Sequence, residues 1–238
     1  MGVIVLNRII NLGPKKKAFS ACTWAEVSEI CKAGLASEYW QIGDTKNMVD
    51  GDDTTALRII GFDHDPVADS AAYGREMAGI TLEMVGLHND LKSVRVNTTN
   101  YAGTAWYSTQ ASQKCKLRTE TLPNFLSARV PTDLKNVIVS VKKEGSASDV
   151  NGFVANREVN DTLFVLSANE ITGKYASGAG SEGEQYAYYK AGNSYDKGVS
   201  YWTRSPVKSG GMWYYISGAS VYQTYVTEYK GCFPCMCI

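Results

Sequence analysis

The spacing of apolar residues near the start of the chain predicts a short helix. Apolar side chains recur there at three- and four-residue steps, namely at Trp24, Val27, Ile30 and Cys31. The segment Thr23-Trp24-Ala25-Glu26 has the form of a capping box, and Gly34 follows the last apolar position. Because a capping box starts helices and glycine often follows their ends, we expect an amphipathic helix between them.

The apolar pattern then changes to that of strands. Residues 56–62 and 79–84 are predicted strands, and the aspartate- and glycine-rich residues 50–53 are the turn before the first. A second helical stretch is predicted over residues 108–125. A third helix is predicted to start at Pro131, because proline suits the first helical turn.

The second half of the chain is predicted to form mainly strands and loops. Residues 137–141 are predicted to form a core strand that stops at residues 142–145, and residues 163–166 another. Residues 173–198 are rich in glycine, serine, alanine and tyrosine, which is loop composition. Further strands are predicted at residues 199–204, 212–217, 221–227 and 233–238, with turns at 209–211 and 217–218.

These elements predict one α+β domain. It would have two or three helices, and a twisted antiparallel sheet that gathers its last strands from the C-terminus. No repeat at solenoid spacing and no long linker divides the 238 residues. The hydrophobic content of 44% is enough for a sizeable core.

Tyrosine is concentrated in the C-terminal quarter. Eleven of the fifteen tyrosines lie in the last 64 residues, interleaved with Trp202 and Trp213. Tyrosine offers a flat apolar face and a hydroxyl at a small entropic cost, which suits surfaces that bind a partner. It is also a good strand former, so ordinary packing is the alternative interpretation.

The charge balance and the N-terminal sequence limit the classes of partner that we expect. Lysine plus arginine equals aspartate plus glutamate at 24 each, so we predict no nucleic-acid binding and no membrane insertion. The apolar N-terminal stretch is interrupted by Asn7 and Arg8 and lacks a cleavage site for a signal peptide. We expect residues 1–21 to be an attachment or oligomerisation segment, because a free apolar edge is sticky. The alternative is that this segment joins its own sheet.

The cysteine and histidine pattern predicts neither metal nor cofactor. Cys232 and Cys235 have the spacing of half a zinc site, but no second pair exists, and His64 and His88 are distant in sequence. We expect reduced, partly buried thiols. Asp63-His64-Asp65 with Asp69 could hold a hard cation, but short aspartate-rich turns more often cap their own backbone, with His64 hydrogen-bonded under a loop.

Catalytic motifs are also missing. The sequence has no Gly-x-Ser-x-Gly elbow, and the Gly-x-Gly-x-x-Gly string at residues 178–183 does not follow an apolar strand. The pair Glu182 and Glu184 does not by itself indicate glycosidase chemistry. We therefore do not expect an enzyme.

Several short sequence blocks resemble those of one protein family, and they occur in the same order along the chain. Tyr201-Trp202-Thr203-Arg204-Ser205-Pro206 resembles the Trp-x-Arg-Ser-Pro signature of a lectin-like domain family common in tailed phages, prophages and gut-bacterial surface proteins. The other matching blocks are residues 23–26, 42–46, 60–65, 78–81, 163–167 and 182–186. The resemblance covers residues 22–238. It implies a C-type-lectin-like domain, similar to formylglycine-generating enzymes and to variable proteins diversified by phage retroelements.

The resemblance also implies a binding site. In the variable proteins, C-terminal strands and loops carry the ligand-contacting residues. By position, the ligand-binding residues here would be Trp213, Tyr214, Tyr215, Tyr222, Tyr225 and Tyr229, with Tyr201 as a nearby support. Trp202 and Arg204 would be structural. The family's usual ending, Gly-Val-Arg-Pro-Ala-Phe-Cys-Ile, differs from residues 231–238, which lack the arginine.

The resemblance suggests a virion protein of a tailed phage or prophage, made in the host cytoplasm. It would be a tail-fibre, baseplate or head-decoration protein that binds a host-surface glycan or protein. Contacts with other virion proteins and a homo-oligomer, by analogy a trimer, are expected. One alternative is a purely structural decoration protein whose aromatic residues contact other virion subunits. A further alternative is an enzyme of the formylglycine-generating type.

Overall fold

The N-terminal half combines short helices with a four-stranded sheet. The structure, a computed structural model, describes residues 16–51, 53–149, 152–174, 182–207 and 211–238. The first elements are α1 (Trp24–Lys32), α2 (Ala36–Tyr39), β1 (Thr45–Asp50), β2 (Asp53–Phe62), α3 (Ser70–Tyr73) and β3 (Ile80–Met84). Of the predicted N-terminal segment, residues 1–21, the first fifteen lie outside the described residues.

The middle of the chain is less regular, and its elements are short. They are β4 (Tyr107–Ser108), a π-helical turn (Leu117–Thr121) continuing into α4 (Leu122–Ala128), α5 (Thr132–Lys135), β5 (Val141–Asp149), β6 (Gly152–Asp161), α6 (Ala168–Thr172) and α7 (Ala187–Lys190). The last strands are β7 (Tyr201–Pro206), β8 (Met212–Ser217), β9 (Ser220–Tyr225) and β10 (Cys235–Cys237).

Three small sheets share one core. The first has the antiparallel order β1-β2-β3-β10, the second the order β4-β5-β6 and the third the order β7-β8-β9. β10 pairs with β3, so the chain end returns to the N-terminal sheet. Bridges from Val139 and Phe164 to β10, and from Val67 to β5, connect the parts. The buried apolar cluster extends from Phe19 to Ile238, and the α+β single domain is confirmed.

The first helix forms as its sequence predicts. The Thr23 hydroxyl accepts a hydrogen bond from the backbone N–H of Glu26, and the Glu26 carboxylate accepts one from the N–H of Thr23. The helix buries the predicted apolar positions. Gly34 follows it with a φ of +75°, a conformation that glycine adopts without strain.

Several predicted elements were wrong in extent. Residues 142–145, predicted to end a strand, lie inside β5, which begins at Val141. The helix predicted from residue 108 begins only at Leu117. Residues 163–166 are buried but not a strand, since only Phe164 makes a bridge. The described residues contain seven short α-helices and three sheets, where we predicted two or three helices and one sheet. In each case contacts between residues distant in sequence determine where the element begins and ends.

Candidate functional site

An aromatic row crosses the third sheet from its core to its edge. Tyr215 of β8 is the direct cross-strand partner of Tyr222 on β9 and of Trp202 on β7. The rings of Tyr215 and Tyr222 are stacked with centroids 5.7 Å apart, and Trp202 meets Tyr215 edge-on at 6.2 Å. We call these three residues the aromatic ladder. Such contacts between cross-strand neighbours stabilise a sheet and fix ring orientation.

Exposure increases along the ladder. Trp202 is buried and its indole N–H donates to the Val94 carbonyl at 3.0 Å. Tyr215 is half-buried, and Tyr222 is 49% exposed. The outer ring is therefore available to a partner, while the inner rings hold it against the core.

Serine hydroxyls lie beside the ladder on the same side of the sheet. Ser220 and Ser217 are cross-strand partners two residues from Tyr222 and Tyr215, and alternate residues of a strand point to the same side. The Ser217 hydroxyl is 2.9 Å from that of Ser200. We call Ser220, Ser217 and Ser200 the serine row. All three are at least partly exposed, so the row offers polar groups next to an apolar surface.

Lys230 lies over the ladder. The segment that contains it runs along β7, where the N–H of Trp202 donates to the Gly231 carbonyl at 3.0 Å. The Lys230 ammonium nitrogen is 4.8 Å from the centroid of the Tyr215 ring, within cation–π range. The sheet face thus combines an apolar platform, hydroxyl groups and a positive charge.

The predicted binding tyrosines do not share one surface. Tyr214 and Tyr225 are an odd number of residues from Tyr215 and Tyr222, so they point to the other side of the β8–β9 ribbon. Tyr225 is 50% exposed. Burial raises the pKa of the half-buried Tyr214 hydroxyl, and the nearby charge of Glu182 raises it further.

Tyr229 is 52% exposed and lies outside the ladder. Its ring faces the guanidinium carbon of Arg95 at 3.9 Å. Tyr229 precedes Lys230, and the N–H and carbonyl of Lys230 both bond to Val94. This places Tyr229 at the strand-like edge next to β7, in contact with Arg95.

Two predicted ligand-site residues lie in the core. Trp213 is buried, and its indole N–H donates to the Thr203 carbonyl at 2.7 Å. Tyr201 is buried against Phe233, and its hydroxyl donates to the Tyr195 carbonyl at 2.8 Å. Neither side chain can reach a ligand from this position, so both predictions are corrected here. These aromatic rings instead contribute packing and a satisfied polar group.

A buried network of charged side chains connects β7 to neighbouring elements. Both terminal nitrogens of the Arg204 guanidinium donate to the Glu170 carboxylate, and Arg204 also donates to the carbonyls of Glu144, Val165 and Glu182. The Lys143 ammonium lies 2.7 Å from Glu170 and 2.5 Å from an oxygen of Asp65. These contacts tie β7 to β5, α6 and the loop before α7. Arg204 and Trp202 thus have structural positions.

The network is held in its charged form. Burial opposes ionisation of Glu170, but Arg204 and then Lys143 hold the pKa of its carboxyl below its usual value. Burial likewise opposes the charge on Asp65, but Lys143 holds the pKa of that carboxyl well below the usual range. Two cations and two anions thus compensate one another, as buried charges require.

The candidate cation ligands point to different partners. The Asp63 carboxylate pairs with Arg75 at 2.8 Å, whereas Asp65 belongs to the buried network. The ring of His64 stacks on that of Tyr186 with centroids 3.9 Å apart, and its Nδ1 lies 3.6 Å from an oxygen of Asp65. The carboxylate of Asp69 caps α3 through Ala72. Within the described ranges no cluster of histidine, cysteine and carboxylate side chains is arranged to hold a metal.

The six cysteines are buried and unpaired. Burial raises the pKa values of the Cys232 and Cys235 thiols far above the ordinary value. Thiols in such surroundings are poor nucleophiles, because the thiolate is the reactive form. Their positions therefore do not favour thiol chemistry. The Gly-x-Gly-x-x-Gly string lies mostly outside the described residues.

Residue patterns alone did not identify Lys230 or the serine row. Lys230 reaches Tyr215 because its segment runs along β7, a long-range relationship. The serines carried a weak signal, since Ser217 and Ser220 flank the Gly218 turn and alternate in step with Tyr215 and Tyr222. The β8–β9 register shows that these serines and tyrosines lie on one side of the sheet.

Comparisons with known proteins give a family without an assigned activity. The family described as "Domain of unknown function (DUF6273)" matches residues 89–238, more than half of the chain, including β7, β8, β9 and Lys230. No curated protein and no solved structure matches the chain. In the described part of the chain, no helix has the length and apolar character needed to span a membrane. The chain belongs to the DUF6273 family.

Proposed function

We propose that this chain is a lectin-like protein that binds a host-surface glycan through the aromatic ladder and the serine row. One observation carries the proposal: the stacked pair Tyr215 and Tyr222 lies beside a row of hydroxyl groups on an accessible side of the sheet. We also propose that the core of the domain has a C-type-lectin-like fold. Its support is the order of the sequence blocks and the α+β architecture.

Sugars suit this surface chemically. A pyranose ring presents C–H groups on its faces and hydroxyl groups around its rim. The C–H groups stack on an exposed aromatic ring such as Tyr222, and the rim bonds to neighbouring hydroxyls such as Ser217 and Ser220. Tyr222 is held by its contact with Tyr215, which Trp202 supports from the core. An outer ring that is already oriented loses little entropy on binding.

The resemblance of the sequence blocks provides the biological setting of the proposal. We propose a virion protein of a tailed phage or prophage, in contact with other virion proteins. A homo-oligomer, by analogy a trimer, would present several ladders at once. Multivalency then raises the avidity of a surface whose single-site affinity is low.

Binding of the chain to a glycan array tests the proposal. Tyr222→Ala and Tyr215→Ala should each weaken binding to the glycans that the unaltered chain binds, by about fivefold or more, since a stacked aromatic contributes about 1 kcal/mol or more. Tyr225→Ala is the matched control, because Tyr225 is equally exposed but lies on the other side of the ribbon. Equal binding by all three variants and the unaltered chain would refute the proposed site.

A structural decoration protein is the second candidate. The exposed positions of Tyr225 and Tyr229 outside the ladder favour it, because they offer further aromatic surface to neighbouring subunits. Chemical labelling of tyrosines in the assembled particle separates the two functions. Tyr222 should be labelled if the ladder binds a host glycan, and protected if it contacts another virion subunit.

A further inference from the structure

We infer that the glycan bound by the aromatic ladder carries a negative charge, and that Lys230 binds it. This inference rests on the proposed function and specifies the ligand class. The relevant group is a carboxylate or phosphate attached to a sugar that stacks on Tyr222. Both are anions that an ammonium group binds through charge-assisted hydrogen bonds.

Lys230 has no acidic partner in the described part of the chain. Its one close contact with a ring is the Tyr215 face at 4.8 Å, and no described carboxylate lies within 4.0 Å of its nitrogen. Lys197 and Lys143 are paired with carboxylates, Glu83 at 2.9 Å and Asp65 at 2.5 Å, whereas the partly buried Lys46 and Lys135 donate to backbone carbonyls. A cation held over an aromatic ring keeps N–H donors for an external anion.

Few charged side chains compete with Lys230 on this side of the ribbon. Glu228 is the single acidic residue between positions 211 and 238, and it is exposed without an ion pair to any described cation. Val94 pairs with Lys230, so Arg95 points to the other side, where it contacts Tyr229. Glu182 influences Tyr214, which also lies away from the ladder. Lys230 is therefore the cation that a described contact places on the ladder side.

The arrangement explains how an acidic sugar would be oriented. Stacking on Tyr222 fixes the plane of the sugar ring. Lys230 lies over the Tyr215 ring, the neighbour of Tyr222, so it is placed for a charged substituent that projects from that sugar toward Tyr215, and the serine row lies along the neighbouring positions of the strands. Three kinds of contact on one face define an orientation as well as an affinity.

Calorimetric titration with matched probes tests the inference. The probes are an oligogalacturonate, its neutral methyl ester and a glycerol phosphate oligomer. We expect at least one anionic probe to bind about tenfold or more tightly than the methyl ester, as one charge-assisted hydrogen bond provides. The difference should shrink in 1 M salt. The carboxylate and phosphodiester arms show which anion is preferred.

Lys230→Gln should abolish the preference for the anionic probe, so that the variant binds the acid and the methyl ester with similar affinity. Lys190→Gln is the matched control, since Lys190 is an exposed lysine on α7. Failure of both anionic probes to bind, equal binding of acid and ester, or an unchanged preference in Lys230→Gln would overturn the inference.

The two proposals fail differently. If neutral glycans bind and Tyr222→Ala abolishes that binding, the proposed function stands even when the anion preference is absent. If Tyr222→Ala leaves the binding of every probe unchanged, the ladder is not the site. Any anion bound then contacts another surface, and both proposals are rejected.

Discussion

Arg204 and Glu170 form a two-pronged ion pair inside the core, and neither side chain has exposed surface. The guanidinium also binds three backbone carbonyls, and Lys143 binds the same carboxylate. The pair joins β7, which carries the inner end of the aromatic ladder, to α6. The position of the ladder therefore depends on a charge pair beneath it.

Replacement of Arg204 should destabilise the protein strongly. Arg204→Met leaves Lys143 as the one cation that contacts the buried Glu170 among the described residues, and it frees three carbonyl groups. We expect a loss of about 3–5 kcal/mol in the free energy of unfolding, the usual effect of breaking a buried ion pair. Denaturant unfolding measures it. The double variant Arg204→Met, Glu170→Met should lose less than the sum of the single variants, and a loss under about 1 kcal/mol for Arg204→Met would contradict the role of the pair.

Gly79 allows α1 to approach the first sheet. A Cβ atom at this position would lie 2.6 Å from the Cβ of Cys31 and 2.8 Å from its Cα. Because the backbone of α1 would have to move, Gly79→Ala should cost about 3 kcal/mol, at the upper end of overpacking effects. Thermal unfolding measures the effect. Gly86→Ala is the control, since no atom lies within 4 Å of its added Cβ, and an equal Tm loss there would contradict the explanation.

Glu182 should make stability fall with rising pH. Burial raises the pKa of its carboxyl from 4.5 to about 7, although Arg204 opposes the shift. The folded state therefore holds a proton that the unfolded state loses. The associated stability is complete below about pH 4.5 and is lost as pH rises to about 7.

Glu182→Gln tests this dependence, because the amide retains an acceptor for Ser146. Its Tm should fall less than that of the unaltered protein between pH 5 and pH 8. Asp65 and Glu170 do not interfere in this window, because their lowered pKa values make stability fall only in more acidic solution. Parallel pH profiles for the two proteins would contradict the prediction.

The cysteines should react only after unfolding. All six are buried, and burial raises the pKa values of Cys31 and Cys115 to about 12. At pH 8 we expect negligible reaction with a disulfide reagent in the native protein and six reactive thiols in guanidinium chloride. Rapid native labelling of Cys232 or Cys235 would contradict this expectation and reopen the thiol-enzyme alternative.

Local signals predicted the elements that local interactions determine. Thr23 and Glu26 place the start of α1, and β8 has the predicted bounds because alternation and neighbouring glycines define it. β5 was misread because Lys142, Lys143 and Glu144 resemble a polar stop. Lys143 is instead buried, and its partners Asp65 and Glu170 come from distant parts of the chain.

The site was predicted in part for the same reason. Tyrosine enrichment pointed to the β8–β9 ribbon, but strand alternation divides its tyrosines between two sides. Tyr215 faces Tyr222 because a two-residue turn fixes the hairpin register. The Lys230 contact depends on how the segment after β9 runs along β7, which no local pattern encodes. The enrichment of tyrosine thus indicates a candidate region, and the strand register determines which of its side chains share one surface.

The β8–β9 hairpin separates the side chains that hold the fold from those that meet solvent. β7 is buried throughout, and β8 buries Trp213 and Ile216, whereas β9 has no fully buried residue. Substitutions at Tyr222, Gln223 or Tyr225 therefore change the chemistry displayed without opening a cavity. Under the proposed function, specificity can evolve on this strand independently of stability, and β9 is the strand to randomise in a search for new ligands.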